Sequence, residues 1–71
     1  MEKLDEKKLG ADYFRNAAEE GDAESQYRLG RCYVLGYGVE KDFVAAVEWF
    51  RSAAEQGNAG GLNGLGMSYA L

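Results

Sequence analysis

The sequence contains no histidine and no proline, and Cys32 is its only cysteine. A single cysteine excludes an intrachain disulfide, and without histidine the common zinc sites lose their usual ligands. No metal and no other cofactor is expected. The absence of proline removes the strongest interrupter of helices, and abundant Ala, Glu and Leu within a 46% hydrophobic composition favour helix over strand. Long hydrophobic runs are also missing. The longest aliphatic stretch, Val44 to Val47, is far too short to span a bilayer, and MEKLDEKKLG lacks the apolar core of a signal segment. A soluble chain with no membrane partner is expected. Positive charge is in deficit too: the net charge is −4 and the pI near 4.6, so the overall field repels phosphate backbones and argues against nucleic acid as a partner.

Seventy-one residues make one small domain, expected to run from residue 1 to 71. A core of this size supplies at most ~3–5 kcal/mol, so very regular helix packing or a partner has to help. Regularity is what the sequence offers. At an offset of 36 residues, YFRNAAEEGDA (Tyr13 to Ala23) lies over WFRSAAEQGNA (Trp49 to Ala59), and Leu29, Gly30, Tyr33 and Leu35 lie over Leu65, Gly66, Tyr69 and Leu71. Eleven of the 27 pairs in this register are identical. A period in the mid-thirties marks helical-pair solenoids, whose units bury their apolar faces only by stacking on a neighbour.

Punctuation places the helices. Gly21-Asp22 and Gly57-Asn58 each pair a glycine that can end a helix with a short polar residue that can cap the next. Gly36-Tyr37-Gly38 is a looser turn, followed by Asp42 as a cap. Four helices are predicted, at about residues 2–20, 23–35, 42–56 and 59–70. Gln26, Leu29, Gly30 and Tyr33 share one packing face, and Phe43, Ala46, Val47, Phe50, Ala53 and Ala54 form another. Tyr13, Phe14, Trp49 and Phe50 recur at the repeat interval and read as core. Gly30 and Gly66 each cost a helix about 1 kcal/mol, which predicts close approach by a neighbour at both. Gly60, Gly61 and Gly64 make the last helix intrinsically weak.

The stretch AESQYRLGRCYVLGYGVEKDFVAAVEWFRSAAEQGN, with its LG..Y..G.GV.KD...A..WF..AA.QG skeleton, resembles the Sel-one-like repeat (SLR), a subclass of tetratricopeptide-like (TPR-like) solenoids. The likeness spans one complete repeat, residues 23–58, flanked by two half repeats. It implies an all-α fold, a right-handed α-α superhelix of helical hairpins, and a non-enzymatic scaffold that binds a protein or peptide along a concave groove. The chain departs from the family's disulfide-rich branch in having one cysteine.

Helical geometry nominates groove residues independently. Ser25 and Cys32 form a small flank suited to meeting a neighbouring helix, which leaves Glu24, Tyr27, Arg31 and Val34 facing the groove. Asn63, Met67 and Ala70 occupy matching positions in the last helix. Tyr27 offers the most contact area for little lost rotamer freedom. Glu24 and Arg28 are spaced for an i,i+4 ion pair that supports the helix.

No catalytic residue is expected. Neither glycine cluster is followed by Gly-Lys-Ser/Thr, the glutamates fall on solvated helix faces, and Cys32 lacks a histidine base. Because the last helix, with Leu62, Leu65, Met67 and Tyr69, belongs to an unfinished unit, homo-oligomerisation through that uncapped end is also expected.

Overall fold

The computed structural model describes residues 5–70, with side chains through Tyr69. It contains four helices and, among the described residues, no strand: α1 (Glu6–Glu19), α2 (Ala23–Leu35), α3 (Phe43–Glu55) and α4 (Ala59–Ala70). This is an all-α helical repeat fold. Each helix start after the first is fixed by the residue the sequence offered for it. The Asp22 carboxylate accepts from the Ser25 amide at 2.9 Å, Asp42 from Ala45 at 3.1 Å, and the Asn58 side-chain oxygen from Gly61 at 2.8 Å. Gly21 (φ 104°) and Gly57 (φ 81°) make the reversals ahead of two of these caps.

The Ser25 hydroxyl also donates to Asp22, at 2.6 Å. That bond, with the Ser25 amide, holds the Asp22 carboxyl below its ordinary value of 3.8. A carboxylate favoured in the folded state contributes stability that is full above its unfolded pKa and is lost as pH falls through the lowered folded value. Part of the acid loss of stability below pH 3.8 is therefore assigned to this cap. Asp22→Asn keeps an acceptor but cannot titrate. Thermal melts followed downward in pH are expected to show a shallower acid decline for this variant than for the parent chain.

The helices form two like hairpins, α1–α2 and α3–α4. In each, an arginine of the first helix donates to a tyrosine hydroxyl of the second: Arg15 to Tyr33 at 3.1 Å, and Arg51 to Tyr69 at 3.3 Å. The hairpins stack through α2 and α3. Ala11, Phe14, Ala18, Leu29 and Cys32 form one buried cluster, with Tyr33, Tyr37, Val39 and Trp49 packed against it. Cys32 of the small flank thus meets α1. Ala46, Phe50 and Ala53 carry the core on into α3. A polar tie crosses the same junction: buried Gln26 donates to the Ala18 carbonyl and accepts from Gln56, which also reaches the Gly21 carbonyl.

Phe50 is the common contact of three helices. A Cβ on Gly30 of α2 would stand 2.6 Å from its ring, and one on Gly64 of α4 2.7 Å from it. Gly61 likewise lets α4 close on Ala53, and Gly60 lets it close on the Tyr27 ring. The expected weakness of the last helix is answered here, because these glycines admit a contact surface that any side chain would block.

Four expectations are corrected. The first helix is not continuous: Gly10 adopts φ 76° and ψ 178°, so residues 6–9 form a separate turn before the helix resumes at Ala11. Gly38 packs against Gly10, and the Ala11 amide donates to the Tyr37 carbonyl at 2.9 Å, a bond that a continuous helix would have kept internal. Residues 2–4 of the expected helix lie outside the described residues. Tyr13 is 57% exposed, because no described helix lies on the side where Trp49 finds its neighbours. Phe43, assigned to the packing face, is 44% exposed at the start of α3. Gly66 has open space around it, since among the described residues nothing covers the outer face of α4.

Candidate functional site

Helices α2 and α4 run side by side over Phe50 and leave between them a groove of about 220 Å³. It extends from Tyr27 and Gly60 at the helix N-terminal ends toward Leu35, Phe43 and Met67, with Arg31, Val34, Asn63 and Ser68 along its walls. The Tyr27 and Phe50 rings lie 6.2 Å apart between centroids, tilted by 38°. The lining is mostly apolar and aromatic, with a few polar groups, the composition of a recognition cleft.

Of the residues nominated from sequence, Tyr27, Arg31, Val34, Asn63 and Met67 line this one groove. Glu24 does not. Its carboxylate is drawn to Arg28 Nε at 3.0 Å and accepts from Asn58 at 3.3 Å. The Arg28 contact is off-axis, so that Nε is left without a hydrogen bond and the pair is held by charge alone. Ala70 closes α4, but its side chain lies outside the described residues.

Among the described residues, Arg31 is the only charged residue of the groove wall. Its Nε donates to Glu6 at 2.7 Å, and its guanidinium lies 5.8 Å from the centroid of the Tyr27 ring. The bond to Glu6 raises the Arg31 pKa further above its ordinary value, keeping the charge fixed at any working pH. Glu6 accepts from Arg28 Nη1 as well, at 2.9 Å, so the turn before Gly10 braces two arginines of α2. Sequence reasoning missed this role. Glu6 is 25 residues from Arg31, and no local spacing links them. Leu35 and Phe43 were also missed as groove residues. The spacing of Phe43 is that of a packing face, Leu35 points away from the face of Leu29, Gly30 and Tyr33, and only the mutual placement of α2, α3 and α4 leaves both at the mouth.

The four residues nominated for self-association do not share one face. Leu62 (55% exposed) and Tyr69 (68%) stand on the outer side of α4, Leu65 is half-buried, and Met67 (71%) belongs to the groove. Burial pushes the Cys32 thiol pKa up, which leaves less thiolate for nucleophilic attack. Among the described residues no three His, Cys, Asp or Glu side chains stand together in a metal-binding group, and no helix is long and apolar enough to cross a membrane.

A family model, the Sel1 repeat, matches residues 2–22 and 23–58. The chain belongs to the Sel1 repeat family. Sel1 repeats are generally protein-interaction scaffolds that mediate protein–protein contact, and proteins built from them are typically non-enzymatic. No curated protein and no solved structure matches the chain. In this Sel1 repeat chain, the two helices that wall the groove are α2, within the second matched stretch, and α4, which follows it.

Proposed function

We propose that this Sel1 repeat chain is a protein-interaction scaffold that receives an apolar side chain from a partner protein or peptide in the groove between α2 and α4. The observation that carries this reading is the convergence of Tyr27, Arg31, Val34, Asn63 and Met67 from two helices on one mostly apolar depression. Tyr27 and Met67 supply adaptable apolar contact, and Asn63 and Arg31 supply hydrogen-bond donors that fix orientation. Glu24 stands apart from this surface. Its ion pair and its bond to Asn58 engage it away from the groove.

The test is a peptide selected from a random library for binding to the folded chain. Met67→Glu changes a 71% exposed side chain and leaves the core untouched, so the melting temperature is expected to hold while affinity falls about tenfold or more, ~1.4 kcal/mol. Undiminished binding by Met67→Glu and by Val34→Asp would place the recognition surface elsewhere.

A second reading, self-association through α4, is favoured by one specific feature. Ala59–Ala70 contains no charged residue, yet Leu62 and Tyr69 on its outer side are exposed. A helix apolar or neutral all round is ordinarily covered on all sides.

A further inference from the structure

We infer that the partner segment received by the groove carries one side-chain carboxylate, from an Asp or a Glu, within about 6 Å of its apolar side chain, and that Arg31 reads it. This rests on the groove reading above and adds the chemistry of the partner.

The groove wall is unequal in charge. Among the described residues that line it, Arg31 carries the only charge, and no acid stands with it. Glu6 and Glu24 balance Arg28 and Arg31 in number, but neither lines the groove. Glu6 is divided between the two arginines, at 2.9 Å to Arg28 Nη1 and 2.7 Å to Arg31 Nε, while Glu24 is turned to Arg28 and Asn58. Among the described residues, no carboxylate is therefore hydrogen-bonded to the Nη groups of Arg31, and its side chain is 42% exposed.

Glu6 takes one donor of the guanidinium, and the Nη pair that remains matches the two oxygens of a carboxylate. The same bond, with the Tyr27 ring 5.8 Å away, already limits the freedom of the Arg31 head, so little ordering is left to be lost on binding. An apolar segment laid over the groove strips water from this cation, and leaving its exposed donors unmet is costly. A backbone carbonyl meets one donor, whereas a carboxylate meets the pair and the charge together. Asn63, uncharged and on α4, suits the peptide backbone of the same segment.

Position sets the spacing. Tyr27 precedes Arg31 by four residues on α2, and Val34 and Leu35 follow it by three and four, so apolar wall lies one helical turn, about 6 Å, to either side. The net charge of −4 opposes a densely acidic partner at a distance, so a single carboxylate among apolar residues fits where an acidic run does not.

The probe is a synthetic random peptide library with both ends blocked, selected on the folded chain. Tight binders are expected to carry one Asp or Glu close to a bulky apolar residue. Replacing that acid by its amide is expected to cost the parent chain about fivefold or more in affinity and to cost Arg31→Gln nothing further, with circular dichroism to verify helicity. Should Arg31→Gln lose helix, Arg31→Lys takes its place, and without the fork it is expected to keep only part of the preference for the acid. An amide peptide that binds the parent as well as the acid does, or an equal cost on parent and variant, overturns the acidic partner but leaves the groove standing where Met67→Glu still weakens binding. Peptides indifferent to Met67→Glu overturn both. Binding seen only when the C-terminal carboxylate is left free overturns the side-chain assignment and gives Arg31 a chain end to read.

Discussion

Phe50→Ala is expected to abolish cooperative folding at room temperature. The ring is 4% exposed and touches α2, α4 and Tyr27 at once, so its removal opens a void on both sides of α3. Truncating a buried phenylalanine to alanine costs about 3–5 kcal/mol, and a core of this size holds about that much in total. Far-UV circular dichroism against temperature and urea is the measurement, with a broad, non-cooperative loss of helix as the expected result. Phe43→Ala is the matched control. That ring is 44% exposed, and its loss is expected to leave a cooperative transition. Equal damage from both would show that Phe50 has no special place between the hairpins.

The second large effect is a contrast of sign. Gly30 and Gly66 occupy the same position of the repeat and both lie within helices, so alanine brings each the same intrinsic helical gain of about 1 kcal/mol. Their surroundings differ. At Gly30 the new methyl would stand 2.6 Å from the buried Phe50 ring and 3.2 Å from the Ala46 carbonyl oxygen. Neither neighbour can retreat cheaply, and overpacking of this kind costs about 1–3 kcal/mol, enough to offset the propensity gain and lower the midpoint. At Gly66 the methyl meets nothing. Gly66→Ala is expected to raise the unfolding midpoint and Gly30→Ala to depress it, both read from urea denaturation with the slope unchanged. Two shifts of the same sign would mean that helix propensity, not the approach of α3, decides the outcome at Gly30.

These two residues also mark how far the sequence could be read. Glycine in a helix correctly signalled close packing at Gly30, and the same inference failed at Gly66, because packing is a property of the neighbour that arrives and not of the residue that permits it. The turns were legible because their cause is local: a glycine with positive φ followed by an Asp or Asn acceptor three residues before a free amide. The break at Gly10 was not legible. In the repeat register Gly10 lies over Ala46, which is helical, whereas Gly10 takes φ 76° where the Gly38 backbone packs against it.

The groove divides in the same way. Tyr27, Arg31 and Val34, and Asn63 and Met67 opposite them, could be named from helical spacing together with the repeat, since each set lies on one helix face. Glu6 could not, because its link to Arg28 and Arg31 crosses between helices and depends on the turn that Gly10 sets apart. That link has a functional bearing. It holds Arg31 of the groove wall by its Nε, so the guanidinium is oriented before any partner arrives.

The most direct test of the scaffold reading compares two acidic substitutions on α4. Met67→Glu lies in the groove and Leu62→Glu on the outer face, and both alter exposed side chains. Titrated with the same library-selected peptide at concentrations where the chain is dilute, Met67→Glu is expected to lose about tenfold or more in affinity while Leu62→Glu binds as the parent does. Loss of binding at Leu62→Glu with full binding at Met67→Glu would contradict the account, because the partner would then be reading the outer face of α4 and not the groove.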